Sequence, residues 1–322
     1  MSFNIGNIKI NGNFVLAPMA GITNEAFRIL AIKMGASYVV GEMVSDKAIC
    51  FKNERTVNMT KVNPLEHPIA IQLFGSDIKS MVDAAIFLDK NSDTDIIDIN
   101  MGCPVPKVVK NGAGAYLMKE PAKVYDIVKN IVDNVSKPVT VKIRLGFDEK
   151  SINCVEIAKI IEKAGAKAIT IHARTRAQGY SGKANWDYIK LVKQSVSIPV
   201  IGNGDVTSVD EAKEMFERTN CDAIAIARGA IGNPFIFREL NAYFNENKIL
   251  EKPSNKEIFD TIKYHYELLE KLKGEHIALL EMRTHIPAYI KGKPNSSYIK
   301  DACNKEKEMN NVFKILSDYL LE

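Results

Sequence analysis

The stretch that best indicates the fold of this chain is Asp95-Ile96-Ile97-Asp98-Ile99-Asn100-Met101-Gly102-Cys103-Pro104. Residues 95–99 form a short apolar run typical of a buried strand, and the glycine and proline beside the cysteine restrict the loop that follows. In α/β barrels the loop just past a parallel strand is where reactive groups collect. A buried structural cysteine in a tight turn would explain the same residues, so a catalytic Cys103 needs support from the rest of the chain.

Short apolar runs alternate with segments of helical spacing as far as about residue 243. The strands that we predict are residues 14–17, 38–41, 69–73, 95–99, 139–143, 168–172, 200–202 and 223–227. The helices that we predict between them include residues 24–34, 78–88, 122–135, 152–164, 186–194 and 208–216. Thr207 resembles an N-cap and Gly165 a C-cap of two of these helices. Eight strands, mostly continuous apolar runs, favour a closed (β/α)8 TIM barrel over an open doubly wound sheet.

The pattern changes after residue 243, where strands stop and amphipathic helices are predicted at 258–272, 277–289 and 312–321. Residues 245–255, which include Pro253, are the predicted junction. We therefore predict two domains, a barrel at 1–243 and a small all-helical domain at 244–322. The charges of the second domain balance, yet the segment from Arg283 to Lys300 contains four basic and no acidic residues. A solvated helix end would explain this segment as well as a binding surface does.

Composition limits the class of protein. With 46% hydrophobic and 25% charged residues and a formal charge of +4, the chain resembles an ordinary globular protein, and the charge alone does not indicate a nucleic-acid partner. Its five cysteines are widely spaced and include no Cys-x-x-Cys pair, so we expect neither a disulfide framework nor a metal site. The sequence lacks a signal-peptide pattern and a membrane-length apolar run, which predicts a cytoplasmic protein without membrane contact.

Polar residues follow or end most of the predicted strands, on the side where barrel enzymes place their active sites. These residues are Glu42, Gln72, Asn100, Cys103, Lys142, Arg144, His172, Arg174 and Arg176, and the first strand is followed by Pro18, Met19 and Ala20. A complete ring of inward polar groups is costly to bury without a ligand that satisfies it. The sequence therefore predicts a ligand site at this end of the barrel.

Two glycine-rich turns are the most specific feature of that ring. Gly202-Asn203-Gly204-Asp205 follows the seventh predicted strand, and Ala227-Arg228-Gly229 follows the eighth. Many barrels bind a phosphate here with backbone N–H groups and a nearby helix end, and the arginine adds a bidentate cation. Tight turns also require glycine for steric reasons, but two such turns at these strands indicate a ligand that carries a phosphate.

Lys142 is predicted to point from the fifth strand into the barrel, where a cation needs an anion. The negative N1–O2 region of a reduced flavin would supply one, whereas a salt bridge to Glu42 or Asp98 is the structural alternative. Gln72, which both donates and accepts, suits the edge of a flavin or pyrimidine. His172 would donate to a ring or phosphate, or would be a satisfied structural histidine.

Several motifs occur in a fixed order along the chain. They are Leu16-Ala17-Pro18-Met19-Ala20-Gly21, Gln72-Leu73-Phe74-Gly75, Asn100-Met101-Gly102-Cys103-Pro104, Lys142-Ile143-Arg144-Leu145-Gly146, Ile171-His172-Ala173-Arg174-Thr175-Arg176, Gly202-Asn203-Gly204-Asp205 and Ala227-Arg228-Gly229. Together they resemble the tRNA-dihydrouridine synthase family, most closely its bacterial B-type subgroup, over nearly the whole chain. The resemblance implies FMN as cofactor, NADPH as electron donor, and reduction of the C5–C6 double bond of uridines in tRNA.

The resemblance also assigns roles to residues of this chain. The residues expected to bind FMN are Pro18, Met19, Ala20, Gln72, Lys142, His172, Asn203, Gly204, Asp205, Ala227 and Arg228. Cys103 matches the proton donor to uracil C5, and Asn100 matches a residue that holds the target base. The residues expected to meet the RNA are Lys107, Arg144, Arg174 and Arg176 near the barrel mouth, and Arg283 and Lys291 in the helical domain. Pro287 departs from the expected pattern because it lies inside a predicted helix and would kink it.

Three alternatives remain open at this point. A flavin-dependent reductase of free pyrimidines, resembling dihydroorotate dehydrogenase, would use the same barrel but would not need the helical domain. A non-catalytic RNA-binding protein would lack a bound flavin. A sugar-phosphate aldolase or isomerase would need a Schiff-base lysine or paired carboxylates at the mouth. We expect a monomeric tRNA-modifying enzyme, in which the target uridine is extruded from the folded RNA into the barrel mouth.

Overall fold

The structure is a computed structural model and describes residues 2–322. Its strands are β1 (Ser2–Ile5), β2 (Ile8–Asn11), β3 (Phe14–Leu16), β4 (Tyr38–Val40), β5 (Val44–Ser45), β6 (Ile69–Phe74), β7 (Ile96–Met101), β8 (Val139–Arg144), β9 (Ala168–His172), β10 (Val200–Asn203) and β11 (Ala223–Ile226). Its helices up to the barrel's end are α1 (Glu25–Lys33), α2 (Asp46–Cys50), α3 (Glu54–Asn58), α4 (Ile78–Asn91), α5 (Pro106–Lys110), α6 (Pro121–Asn134), α7 (Cys154–Lys163), α8 (Asp187–Ser195), α9 (Val209–Thr219) and α10 (Ile236–Glu246). Four helices follow, α11 (Asn255–Lys273), α12 (Glu275–Tyr289), α13 (Ser296–Lys305) and α14 (Met309–Leu321), and short 3₁₀ helices lie at Pro64–Glu66, Gly114–Lys119 and Arg228–Ala230.

Eight parallel strands close into a barrel. Strands β6 to β11 pair in sequence order, β11 pairs with β3, β3 with β4, and β4 with β6, so the sheet has no free edge among these eight. The short β5 adds to β6 beyond the end of β4. All eight predicted strands are present, and the prediction of a (β/α)8 TIM barrel with extra C-terminal helices is confirmed. Because the strands are parallel, their carboxyl ends meet at one mouth.

Side-chain caps begin most of the barrel helices where the sequence supplies a polar residue. Asn24 accepts from the Phe27 N–H at α1, and Asp77 accepts from the Ser80 N–H at α4. The predicted N-cap at Thr207 is wrong by one residue, because Ser208 caps α9 by accepting from the Glu211 N–H. Thr207 instead donates its N–H and its hydroxyl to the Glu211 carboxylate, so it lies one position outside the helix.

An antiparallel hairpin that the sequence did not reveal closes the amino-terminal end of the barrel. Strands β1 and β2 pair over four residues each. Ile5 and Ile10 are fully buried in a cluster with inward residues of the barrel strands, including Val15 and Ala168. The hairpin therefore seals the end opposite the mouth, and ligand access is left to the carboxyl end.

Helices α11 to α14 pack around a second apolar cluster that includes Ile262, Met282 and Leu316. This cluster also contains Ala26 and Phe235 of the barrel, so the helices adjoin α1 and the start of α10. The predicted boundary at residues 243 and 244 falls inside α10, which continues to Glu246, and the connecting segment is 247–254. Helix α13 was not predicted.

Helix α12 ends against the loop that follows the last barrel strand. A Cβ on Gly232, where φ is +68°, would lie 2.2 Å from the carbonyl carbon of Ala288. Pro287 lies in the last turn of α12, and the helix continues past it to Tyr289. The chain then turns so that Lys291 reaches the mouth of the barrel. Within residues 2–322, no helix combines the length and the apolar character that crossing a membrane requires.

Candidate active site at the mouth of the barrel

A cavity of about 660 Å³ opens at the carboxyl ends of the strands. Every residue that the sequence assigned to the cofactor lines it: Pro18, Met19, Ala20, Gln72, Lys142, His172, Asn203, Gly204, Asp205, Ala227 and Arg228. Asn100, Cys103, Arg144 and Lys291 line it as well. Residues that lie far apart in sequence thus converge because each follows a different strand of one closed sheet.

The cysteine loop is fixed from below by a chain of side-chain hydrogen bonds. Asn100 Oδ1 accepts from the N–H groups of Gly102 (3.1 Å) and Cys103 (2.8 Å). Asn100 Nδ2 donates to Gln72 Oε1 at 2.7 Å, and Gln72 Nε2 donates to Asp98 Oδ2 at 2.6 Å. Both amides are therefore oriented by the protein itself, and Asn100 positions the loop that carries Cys103.

The thiol of Cys103 lines the cavity while the residue is 9% exposed. Burial raises its pKa, and the nearby charges of Arg144 and Lys142 only partly oppose this effect. A thiol with a raised pKa keeps its proton at neutral pH. Cys103 is consequently suited to give a proton to a bound substrate, and less suited to act as a thiolate nucleophile.

Lys142 is a buried cation of the cavity without an ionic partner. Its Nζ lies 3.5 Å from Asn203 Oδ1, and no carboxylate within residues 2–322 pairs with it. The alternative salt bridges to Glu42 and Asp98 are absent: Glu42 accepts from the Gly21 N–H, and Asp98 accepts from Gln72. Burial first, and repulsion by Arg144 second, lower the pKa of Lys142 to about 8. An anionic ligand beside it would raise this pKa again, as expected for a site that binds one.

His172 is neutral in this surrounding. Burial lowers its pKa far below the ordinary value, and the positive charge of Lys142 and of neighbouring arginines adds to the effect. Arg174 Nη1 lies 3.4 Å from His172 Nε2, and because a guanidinium can only donate, Nε2 must be the accepting nitrogen. The proton then resides on Nδ1, where it is free for a ligand.

The two glycine-rich turns form one cradle because they touch. A Cβ on Gly229 would lie 2.5 Å from the Val206 carbonyl oxygen, and one on Gly204, where φ is +128°, would lie 2.9 Å from Ala184 Cβ. The N–H groups of Gly204, Arg228 and Gly229 have no hydrogen-bond acceptor within the part of the chain that the structure describes. Free N–H groups beside an arginine are the donor set that a phosphate needs.

Asp205 does not oppose an anion in this cradle. Its φ is +61°, and its carboxylate accepts from Arg174 Nη2 at 2.7 Å and from the Ala184 N–H at 2.7 Å. Arg228 Nη2 also lies 3.3 Å from it. The negative charge is thus neutralised behind the turn, and the backbone of the turn faces the cavity.

Two arginines that were predicted to meet RNA phosphates are buried and hold loops in place. Arg144 donates to the carbonyls of Gly102, Thr175 and Gly179. Arg174 donates to the carbonyls of Ser181 and Gly182 and to the Asp205 carboxylate. Arg144 lines the cavity and Arg174 does not. Their donors are used internally, which favours a role in shaping the mouth.

The remaining predicted RNA contacts are scattered. Arg176 packs over the Phe147 ring at 5.0 Å and Arg283 donates to the Glu306 carbonyl, and neither lines the cavity. Lys107 is exposed on α5, just after the cysteine loop. Lys291 alone brings a cation of the C-terminal helices to the cavity.

The sequence analysis missed Tyr180. This residue is 59% exposed, lines the cavity, and lies beside the guanidinium groups of Arg144 (5.6 Å) and Arg228 (5.1 Å). The glycines at 179 and 182, both with positive φ, flank it. An aromatic residue between two glycines after a barrel strand was the available signal, but the position of its ring depends on the two arginines.

Comparisons with known proteins agree with this geometry. Residues 15–321 match the family model described as dihydrouridine synthase (Dus). tRNA-dihydrouridine synthase B of Vibrio vulnificus is 39% identical over 301 residues, covering 93% of each chain. A probable tRNA-dihydrouridine synthase of Rickettsia conorii is 38% identical, covering 93% of this chain and 91% of the relative.

Solved structures with related folds are more distant in sequence. Histamine dehydrogenase from Rhizobium sp. 4-9 superposes with a TM-score of 0.58 at 16% identity, over 83% of this chain and 50% of that one. TcOYE with pHBA superposes with a TM-score of 0.55 at 14% identity, over 83% of this chain and 97% of that one. These likenesses support the barrel fold. The family match and the relatives carry the conclusion that this chain belongs to the dihydrouridine synthase family, as its motifs predicted.

Proposed function

We propose that this protein reduces the C5–C6 double bond of uridines in tRNA, using bound FMN and NADPH as electron donor. The observation that carries the proposal is that a protonated thiol, an unpaired lysine and a phosphate cradle line one cavity. Family membership supplies the substrate class, because the curated relatives named above are tRNA-dihydrouridine synthases.

The donor set of the cavity fits FMN. The free N–H groups of Gly204, Arg228 and Gly229 would hold the phosphate, and Lys142 would lie against the negative edge of the flavin ring. Pro18, Met19 and Ala20 offer a mainly apolar edge to the ring, and Gln72 offers one remaining amide proton. Bound FMN would supply the hydride chemistry that links NADPH to C6 of the uracil.

Cys103 would complete the reduction by giving its thiol proton to C5. The hydride at C6 and the proton at C5 together saturate the double bond, and the reaction leaves a thiolate. Arg144 and Lys142 are close enough to favour that thiolate, so the groups that partly lower the pKa of Cys103 would also ease the transfer. Solvent returns the proton before the next cycle.

Binding of tRNA would use exposed cations around the mouth. Lys291 from the helical domain and Arg228 from the barrel line the same cavity. Lys107 is exposed and follows Cys103 closely in the sequence. A helical domain that contributes to the cavity favours a macromolecular substrate over a free pyrimidine. The target uridine would leave its stack to reach the thiol.

The proposal is tested by incubating the purified protein with unmodified tRNA and NADPH, and mapping dihydrouridine along the product. Free uridine and orotate, which also carry a C5–C6 double bond, serve as matched alternative substrates. We expect a yellow protein that forms dihydrouridine at defined positions of tRNA and leaves the small molecules unchanged. Comparable reduction of orotate would instead support the small-molecule reductase, and a colourless protein without activity would support an RNA-binding role.

A further inference from the structure

Four side chains beneath the cavity form one continuous hydrogen-bonded relay. Thr140 Oγ1 donates to Asp98 Oδ1 at 2.6 Å, and Gln72 Nε2 donates to Asp98 Oδ2 at 2.6 Å. Asn100 Nδ2 then donates to Gln72 Oε1 at 2.7 Å. Residues 72, 98, 100 and 140 are all at most 8% exposed, so water does not compete with these bonds.

The two ends of the relay impose the same direction. At one end the two Asp98 oxygens accept, one from Gln72 and one from Thr140, so Gln72 presents its NH₂ group to Asp98. At the other end the N–H groups of Gly102 and Cys103 can only donate, so Asn100 must present its oxygen to them. Between these ends, each amide has one orientation that satisfies both neighbours. Rotating either amide by half a turn would place like groups against each other.

Each side chain of the relay is held between neighbouring strands, with Gln72 and Asn100 at the floor of the cavity. The strands that contribute are β6, β7 and β8, which are adjacent in the sheet. Register places Gln72 opposite Asp98, and Asp98 opposite Thr140. The relay is therefore built into the strand pairing, and Asp98 supplies its only carboxyl group.

We propose that Asp98 is a positioning residue: as the side chain that accepts from Gln72 at the closed end of the relay, it keeps the Gln72 and Asn100 amides in the direction that holds the Cys103 loop against the cavity. The inference rests on the proposed function, because it assigns the purpose of the relay to the placement of the proton donor. It assigns no role in the chemical step to Asp98 itself, which does not line the cavity.

Exchanging the carboxyl and amide groups at positions 98 and 100 tests the direction in which the hydrogen bonds of the relay run. In Asn100→Asp, Gln72 would face two carboxylates, and its amide oxygen would oppose one of them. In Asn100→Asp combined with Asp98→Asn, the new amide at position 98 can donate to Gln72 and still accept from Thr140, while Gln72 donates to position 100. Asp98→Asn alone can keep the original direction, because its NH₂ group can donate to the Thr140 hydroxyl.

The readout is hydrogen–deuterium exchange of the peptide that carries Gly102 and Cys103, measured on the holoenzyme, together with kcat and KM for tRNA. We expect Asn100→Asp to exchange about tenfold faster than the wild type and to lose kcat more than KM, since one buried polar contact is broken. The double variant should exchange within about threefold of the wild type. If the double variant exchanged its Gly102–Cys103 amide hydrogens as fast as Asn100→Asp does, the proposal would be overturned.

A second single and double variant, made at positions 72 and 98, provides the same test in case a variant of the first pair does not fold. Gln72→Glu places an acceptor against Asp98, and adding Asp98→Asn supplies a donor to it while the Asn100 bond is kept. The same rescue of exchange is expected, and its absence in both pairs would contradict a directional relay. Exchange does not depend on catalysis, so an active Cys103→Ala would reject the proton-donor role while leaving the relay result in force.

Discussion

At the scale of single residues, Lys142 depends most strongly on what occupies the cavity. Its pKa is lowered to about 8, so the ligand-free protein loses this proton as the pH rises through that value. An anionic ligand favours the charged form, so binding takes up a proton above pH 8 and weakens as the pH rises. We predict that FMN affinity for the apoprotein falls above pH 8, measured by quenching of flavin fluorescence.

The substitution Lys142→Met should remove this pH dependence and weaken FMN binding by about tenfold, the value of one charge-assisted contact. Lys159→Met, on the exposed face of α7, is the matched control and should change neither quantity. If Lys142→Met bound FMN like the wild type with the same pH profile, Lys142 would not contact the bound anion.

The residues that line the cavity could be predicted where their position on a strand decides which way they face. Cys103 and the two glycine turns follow strand ends and Lys142 lies near the end of β8, and all of these ends meet at one mouth. The partners of Arg144 and Arg174 were not predictable, because most of the carbonyls that accept from them belong to the loop at 175–182. Whether a guanidinium faces a ligand or a carbonyl depends on a loop conformation that residue type does not encode.

At the scale of elements, the contact between Gly232 and the end of α12 determines where the helical domain presents Lys291. The backbone of Ala288 occupies the space that a Cβ would need. We predict that Gly232→Ala lowers the free energy of unfolding by about 1–3 kcal/mol, because overpacking adds to backbone strain. Chemical denaturation measures this change.

Gly292→Ala is the matched control for that prediction. Gly292 has a similar positive φ of +83°, but nothing lies within 4 Å of its added Cβ. It therefore reports backbone strain alone, and Gly232→Ala should be the more destabilising of the two. If both substitutions lowered the free energy of unfolding equally, the end of α12 would move away from the added Cβ without destabilising the protein.

Elements with strong periodicity were predictable and polar ones were not. The eight strands follow from apolar runs, whereas α13 is a polar helix that begins after Asn295 in the left-handed region. The hairpin β1–β2 has only four residues per strand and gains its stability from covering the barrel end. Such elements depend on tertiary contacts more than on their own sequence.

At the scale of the whole molecule, the barrel and the helical domain both contribute cations to one mouth. We predict that tRNA binding weakens with added salt, and that Lys291→Ala reduces the magnitude of the salt slope by about one unit. Filter binding at several salt concentrations measures both. Lys9→Ala is the control, because Lys9 is exposed on the hairpin at the opposite end, and a salt slope that changed equally in both variants would place the RNA elsewhere.

The contribution of the helical domain to the mouth of the barrel was only partly predictable from the sequence. The presence of a basic helical segment after the barrel could be seen, but its contact with the cavity arises where Gly232 meets Ala288. That contact joins residues far apart in the chain, and no local pattern marks it.

The central claim is that Cys103 supplies the proton that completes uridine reduction. The most direct measurement compares Cys103→Ala with Cys50→Ala, a substitution at an exposed thiol, for bound flavin, flavin reduction by NADPH, and dihydrouridine formed in tRNA. We predict that Cys103→Ala keeps the flavin and its reduction but forms dihydrouridine at least about a hundredfold more slowly, since general acid catalysis contributes at least that much, while Cys50→Ala behaves as the wild type. Dihydrouridine formation by Cys103→Ala at the normal rate would contradict the account.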